Sequence, residues 1–459
     1  MTFIQLALAF VILVLASGVL GWRRIRVPQL ADGIRPRSRA VYHGLYNALW
    51  CALPMLVVVA AWLAVEPGII RPAVLGELAA NSALIEESSA FKYVEIKNIA
   101  EGVLPSALAD KSVQQAVDHY RTLQQRSDIV LTILFITAGL AGLYLGYRQL
   151  CHLFPAREKV EGFVRVFLFV SASVAILTTI SIVLALAFET LRFFQHVPVM
   201  DFLLGTKWSP QVAIRADQVG SSGAFGMVPL FAGTLLIAFI AMLVAVPVGL
   251  FSAIYLAEYA HPAARSVLKP MLEVLAGIPT VVYGFFAALT VAPMIVDLGH
   301  TLGLDASSES ALAAGLVVGL MIIPFISSLS DDVINSVPYS LRDGSLAMGA
   351  TKSETIRKVI LPAALPGIAG AILLAVSRAI GETMIVVMAA GLAANLTANP
   401  LESVTTVTAQ IVTILVGDQE FDSPKTLAAF ALGLTLFFVT LALNFIALHV
   451  VRKYREQYD

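Results

Sequence analysis

An arginine and a glutamate, Arg378 and Glu382, stand four residues apart inside a long apolar stretch at 367–393. On a helix this spacing puts both side chains on one face, within reach of each other. A charge in the hydrocarbon core of a membrane costs at least about 2.5–3.5 kcal/mol, so such residues usually face protein or water and mark an ion pathway. The planar guanidinium suits the oxygens of an oxyanion, and the carboxylate would neutralise it when no anion is bound.

The same two residues also fit a structural role, a buried ion pair that fixes the packing of helices. The hydroxyls of Ser377, Thr383 and Thr280 allow the same two interpretations. Hydroxyl groups can line a polar pathway, and they also join membrane helices to one another. Residue types and spacing favour the pathway and leave the structural alternative open.

A second polar segment, 331–366, contains two glycines, Gly344 and Gly349, at the spacing of a phosphate-binding loop. That loop requires Lys and then Ser or Thr directly after the second glycine, whereas Ala350 and Thr351 follow here. We therefore reject nucleotide binding in this chain. The segment instead predicts two short amphipathic helices that are separated at Gly349 and either dock on a partner or lie on the lipid surface.

Sites for covalent or metal chemistry are not predicted. The sequence has no His-Glu-x-x-His or Gly-x-Ser-x-Gly motif and no pair of catalytic carboxylates, and its two cysteines, Cys51 and Cys151, lie far apart. We expect both thiols to be reduced. We expect a protein that is not an enzyme and has no catalytic residue, metal or cofactor of its own.

The composition restricts the class of protein. Charged residues make up 13% of the 459 residues and hydrophobic residues 58%, with a mean hydropathy of +0.84, whereas soluble domains are about 25% charged. A soluble enzyme, a disordered chain and a nucleic-acid-binding protein are excluded. A polytopic membrane protein in a lipid bilayer remains.

Apolar runs long enough to cross a bilayer occur nine times, and they lack the alternation of a membrane barrel. The predicted fold class is therefore all-α, with the first run a retained span and not a signal peptide. The predicted spans are 2–21, 43–65, 128–147, 163–188, 228–256, 267–296, 311–330, 367–393 and 427–450.

Basic residues give an expected orientation. Alternate loops carry 19 of the 30 Lys and Arg residues, the opposite loops carry ten, and Arg378 is the last. Because basic loops stay in the cytosol, we expect an extracytosolic N-terminus and a cytosolic C-terminus. Segment 331–366 would then be cytosolic, and the loop 66–127 would be an extracytosolic cap or spacer.

The chain divides by character into two parts. Residues 1–150 hold three spans and the loop 66–127, and residues 155–459 hold six spans and the segment 331–366. We found no internal repeat.

The segment 331–366 resembles a loop that is characteristic of ABC importer permeases, Glu-Ala-Ala-x3-Gly-x9-Ile-x-Leu-Pro. This chain departs from the pattern in three places: it has Asp in place of Glu, Gly-Ser in place of Ala-Ala, and Val in place of Ile. The resemblance implies that 338–362 couples this chain to an ATPase subunit. The residues that align are Asp343, Gly344, Ser345, Gly349, Val359, Leu361 and Pro362.

Three further stretches resemble the PstC-type permeases of phosphate ABC importers. They are Ala276–Gly284, Ser377–Met384 and Gly223–Gly226 with the Pro229 and Gly233 that follow, and the likeness covers about 160–451. It implies a six-helix permease core with an N-terminal three-span extension.

The resemblance also implies partners and a location in the bacterial inner membrane. The partners are a second homologous permease subunit, an ATPase dimer that hydrolyses ATP, and an extracytosolic phosphate-binding protein. It implicates Arg378 and Glu382 in phosphate transport. A permease for sulfate or molybdate, and a secondary transporter or channel without an ATPase, remain as alternatives.

Overall fold

The computed structural model describes residues 3–32, 36–81, 89–100, 102, 111–210, 223–416 and 423–455. Helices dominate these ranges, and the only sheet in them is one antiparallel pair of two-residue strands, β1 (Trp208–Ser209) and β2 (Ala224–Phe225). The predicted all-α class is confirmed. By contacts the chain separates into two compact units, Met1–Ile176 and Leu177–Asp459.

The first unit is built from long helices that pack side by side. Its helices are α1 (Phe3–Asp32), α2 (Ala40–Asn81), α3 (Ser89–Ala100), α4 (Lys111–Gln149) and the first half of α5 (Ala156–Phe193). α1 and α2 are joined by two reciprocal bonds at 2.9 Å, in which Ser17 Oγ donates to the Asn47 carbonyl and Asn47 Nδ2 donates to the Ser17 carbonyl. Lipid tails are as apolar as the surfaces of these helices, so hydrogen bonds of this kind help to hold membrane helices together.

The predicted loop 66–127 is largely helical where the structure describes it. α2 has 42 residues and α4 has 39, so at about 1.5 Å per residue each is far longer than the roughly 30 Å of hydrocarbon. α3 packs on both helices around a small core of its own. The core residues are Ile70, Val74, Ile96, Ile99, Ala116, Val117 and Tyr120.

The second unit contains the remaining helices, many of them interrupted. They are α6 (Val199–Leu204), α7 (Val228–Ile254), α8 (Pro262–Ala276), α9 (Thr280–Phe286), α10 (Ala292–Leu302), α11 (Ala311–Ser336), α12 (Tyr339–Ala347), α13 (Lys352–Thr355), α14 (Leu361–Ile380), α15 (Met384–Ala389), α16 (Val407–Leu415) and α17 (Pro424–Arg455). Single π-helical turns follow α7 (255–259), join α9 to α10 (287–291) and join α13 to α14 (356–360). The main core lies where α7 and α11 pack, and α14, α15 and α16 add to it.

Nine helices in the described part of the chain are long and apolar enough to cross a membrane, which confirms the predicted number. Two boundaries are wrong. The sixth span is Thr280–Leu302 and not 267–296, because Pro279 cannot donate a helical hydrogen bond and separates α8 from α9. The eighth is Lys352–Ile380 and not 367–393, because α14 ends at Gly381.

Candidate functional site

Arg378 lies in the last turn of α14, and Glu382 lies beyond the end of that helix. The prediction that the two share a helix face and pair is therefore wrong, and these two described residues form no ion pair within 4.0 Å. Glu382 instead accepts a 3.4 Å hydrogen bond at Oε1 from the backbone N–H of Ile385, in the first turn of α15. Its backbone carbonyl accepts a 2.7 Å bond from Thr408 Oγ1.

The guanidinium of Arg378 has a different neighbour. Its central carbon lies 5.7 Å from the centre of the Phe325 ring on α11, a cation–π distance. Within the described part of the chain it makes no hydrogen bond or ion pair, and the residue is exposed. Its N–H donors are therefore available to an anion.

The chain after Arg378 folds back into the second unit and does not continue as a span. α15 packs against α9 and α11, and α16 packs against α7 and α17. Gln410 holds this segment: its Oε1 accepts from Trp208 Nε1 at 2.9 Å, and its Nε2 donates to the Leu392 carbonyl at 3.0 Å. Irregular backbone among membrane helices needs such internal partners. The sequence analysis missed this buried polar network, whose only local signal is the cluster of threonines at 405–408.

The remaining predicted pathway residues lie at the ends of neighbouring helices. Thr280 begins α9 after the break at Pro279, and Tyr283 Oη bridges this break by donating to the Leu275 carbonyl at 2.9 Å. α9 and α15 are close, since a Cβ on Gly284 would lie 2.7 Å from Met388 Sδ.

Ser377 and Thr383 flank the two charged residues. Ser377 is half-buried in the last turn of α14, and Thr383, also half-buried, donates to the Gly381 carbonyl at 3.1 Å directly before α15. The structure thus brings Thr280 and Thr383 to the starts of two helices that pack together, next to the end of α14.

The segment 331–366 has the predicted interruption at Gly349, where φ is +85°, a conformation that L side chains rarely adopt. α12 ends before it, and Thr351 and Glu354 form a capping box that begins α13. The first helix is short, as predicted. The second is not, because it continues through the π-helical turn into α14.

The residues that align with the permease loop lie on both sides of this interruption. Asp343 and Gly344 are exposed on α12, whereas Ser345 Oγ lies 3.0 Å from Thr355 Oγ1. Val359 lies in the π-helical turn, and Leu361 and Pro362 begin α14.

α12 presents apolar side chains outward. It has no buried residue, and the exposed fractions of its Tyr339 and Leu346 are 70% and 49%; that of Met348, directly after the helix, is 88%. Exposed apolar residues grouped beside polar ones are typical of a protein interaction surface.

Comparisons with known proteins show the family of the chain. Residues 245–456 match the family described as binding-protein-dependent transport system inner membrane component, and residues 7–178 match one described as phosphate ATP-binding cassette transporter. A probable ABC transporter permease protein, YqgH of Bacillus subtilis, is 32% identical over 297 residues, which are 64% of this chain and 90% of that protein. The chain belongs to the family of binding-protein-dependent ABC importer permeases.

Other permeases of this family are similar to the chain over more than half of its length. Phosphate transport system permease protein PstC 1 of Mycobacterium tuberculosis is 31% identical over 55% of this chain and 82% of its own length. PstC of Mesorhizobium japonicum is 32% identical over 55% of this chain and 78% of its own length. Among solved structures, a bacterial alginate ABC transporter matches 64% of this chain and 99% of its own at 15% identity, with a TM-score of 0.43. The predicted likeness to PstC-type permeases is confirmed, and the chain is a multi-pass membrane transport subunit.

Two groups of ion pairs, one between α12 and the turn 255–259 and one between α8 and α11, were not predicted from the sequence. Glu258 has a side chain only 9% exposed and pairs with Arg342 at 2.5 Å between Oε1 and Nη1. Asp331 is 1% exposed and accepts from Arg265 Nη2 at 2.9 and 3.0 Å and from Lys269 Nζ at 2.8 Å. The hydrogen bond from Lys269 to Asp331 raises the pKa of Lys269, so its ammonium stays charged.

Proposed function

We propose that this chain is the permease subunit that moves inorganic phosphate across the bacterial inner membrane, driven by ATP hydrolysis on partner subunits. The proposal rests on its family, on relatives that are named phosphate transport permeases, and on its match to a family described as a phosphate ABC transporter. The N-terminus would lie in the periplasm and the C-terminus in the cytoplasm.

The free guanidinium of Arg378 is the single observation that carries the choice of pathway. It lies at the end of α14, exposed and without a hydrogen-bond partner among the described residues. Phosphate oxygens accept the paired N–H donors of an arginine in strong, charge-assisted hydrogen bonds. Because no carboxylate of the described residues pairs with Arg378, the side chain is ready for an anion.

Glu382 has a supporting role in this proposal. It caps α15 through the Ile385 N–H and stands four residues from Arg378. Its carboxylate repels an anion that lingers at Arg378, which favours release. Ser377, Thr383 and Thr280 offer neutral hydroxyls along the same route.

The outward apolar face of α12 would couple the permease to the ATPase dimer. Tyr339, Leu346 and Met348 are available to pack in a groove of the ATPase, and Asp343 and Gly344 lie exposed on the same short helix. The left-handed turn at Gly349 sets the angle between α12 and the long helix that holds Arg378 in its last turn. The complex would also contain a second homologous permease subunit and an extracytosolic phosphate-binding protein.

Uptake by the reconstituted complex tests the proposal. Vesicles with both permease subunits and the ATPase dimer receive the loaded binding protein, ATP, and labelled phosphate or labelled sulfate. We expect phosphate uptake that requires ATP. Preference for sulfate would assign another oxyanion, and uptake driven by an ion gradient without ATP would make the chain a secondary transporter.

A further inference from the structure

α12 is attached to the rest of the permease by polar side chains and not by hydrophobic packing. Of its nine residues, none is buried, and only Arg342 and Ser345 are half-buried, whereas the other seven are exposed. These two lie three residues apart and therefore on one face of the helix. A movement of α12 can therefore reach the rest of the permease only through this face or through the backbone at the two ends of the helix.

Arg342 makes the stronger of the two contacts. Its side chain is 12% exposed, Nη1 lies 2.5 Å from Glu258 Oε1, and Nη2 donates to the Ile334 carbonyl at 2.6 Å. An ion pair with so little exposure is screened weakly by water and salt. The contact is short, and salt in the solvent weakens it little.

Glu258 belongs to the π-helical turn 255–259 at the end of α7. The same turn is held from its other side by Arg265 of α8, whose Nη1 donates to the Leu256 carbonyl at 3.0 Å. Arg265 also bonds to the buried Asp331 of α11. Single π-helical turns are often found at functional positions in helices.

α8 leads from this turn toward the candidate phosphate site. It ends at Gly277, and after Pro279 the chain continues as α9, which begins at Thr280 and packs against α15. The contacts thus form a continuous series from α12 through Glu258 and α8 to the helices beside Arg378.

We propose that Glu258 and Arg342 are positioning residues that transmit the movement of α12 to the turn 255–259, and through α8 to the phosphate pathway. The inference rests on the proposed function, in which the ATPase moves α12. The test measures the coupling of ATP hydrolysis to phosphate uptake directly.

The variants Glu258→Gln, Arg342→Gln and their double combination are compared with the wild type in the complete reconstituted complex. We expect both single variants to retain the ATPase on purification, since the exposed Tyr339, Leu346 and Met348 are kept. Arg342→Gln also removes the guanidinium that lies 5.2 Å from the centre of the Tyr339 ring, so Glu258→Gln is the cleaner of the two variants. Phosphate uptake should fall at least tenfold while ATP hydrolysis falls less than threefold, so that the ATP used per phosphate rises. The double variant should be no worse than either single variant, because the interaction is already lost.

Arg157→Gln is the matched control. It removes an ion pair with Glu161 on α5, outside the segment 338–362, at 2.5 Å between two side chains that are 64% and 46% exposed. We expect uptake within twofold of the wild type. The rescue variant is the exchanged pair Glu258→Arg with Arg342→Glu, which should recover uptake relative to either reversed charge alone.

Three results would overturn the inference. They are uptake within twofold of the wild type in both single variants, a parallel loss of uptake and hydrolysis with an unchanged ratio, and loss of the ATPase on purification, which would make the pair a folding contact. If the wild-type complex itself imported no phosphate, the proposed function would fail instead.

Discussion

Two arginines of the second unit, Arg378 and Arg342, show opposite environments for the same side chain. Arg378 is exposed at the end of α14 and faces only the Phe325 ring, without a hydrogen bond to a described residue. Arg342 is almost buried and bonds to both Glu258 and the Ile334 carbonyl. A guanidinium with free donors suits a ligand that comes and goes, whereas a paired one suits a lasting contact between helices.

The substitution Arg378→Gln should have the largest effect, and it distinguishes the role of Arg378 from that of Arg342. Losing two charge-assisted hydrogen bonds of about 1.5 kcal/mol each predicts a roughly hundredfold fall in phosphate uptake. Assembly with the ATPase should be unchanged. ATP hydrolysis should fall together with phosphate uptake, so the ATP used per phosphate stays constant, whereas in Arg342→Gln it rises. Uptake and ATP hydrolysis are measured together, with Arg165→Gln on the exposed surface of α5 as the control. Wild-type uptake by Arg378→Gln would exclude this arginine from the pathway.

The substitution Asp331→Asn should mainly affect stability. It leaves Arg265 and Lys269 without their shared buried carboxylate, and breaking a buried ion pair costs about 3 kcal/mol. Thermal unfolding of the purified complex in detergent measures the change. The control Asp332→Asn removes a 66% exposed carboxylate 3.5 Å from Lys269 and should cost less than about 1 kcal/mol. Equal losses from both variants would contradict the importance of burial here.

The substitution Gly349→Ala should destabilise the turn between α12 and α13. No atom within 4 Å would obstruct a Cβ, so the cost is the backbone strain at φ +85°, about 1–2 kcal/mol. Protease cleavage within 339–355 measures it. Gly344→Ala on α12 also meets no atom within 4 Å, and it should stabilise the helix by up to about 1 kcal/mol. Equal rates of protease cleavage in the two variants would show that an alanine at position 349 causes no backbone strain.

The smallest change is expected from Ser345→Ala, at the second polar contact of α12. It removes one hydroxyl contact to Thr355 Oγ1 at 3.0 Å, worth about 1 kcal/mol. Uptake should stay within threefold of the wild type. A loss as large as that of Arg342→Gln would mean that the whole inner face of α12, and not the ion pair, carries the load.

Much of the fold could be predicted because hydropathy and helix periodicity are local properties. The nine spans, the all-α class and the interruption at Gly349 all follow from neighbouring residues. The boundary errors are also local in origin. Pro279 directly precedes α9 and Gly381 directly follows α14, yet Pro247 and Pro324 remain inside α7 and α11. Residue type alone therefore does not say which proline or glycine interrupts a span.

The sequence by itself determined the membrane class, the likeness to importer permeases and the identity of Arg378 and Glu382 as unusual charges in an apolar stretch. The tertiary structure alone decided the partners of the charged groups: Glu258 meets a residue 84 positions away, and Asp331 meets one 66 positions away. Spacing predicts contacts only within one helix, and even there the end of α14 at Gly381 separated Arg378 from Glu382. Which charges pair depends on how distant helices pack, and no local pattern contains that information.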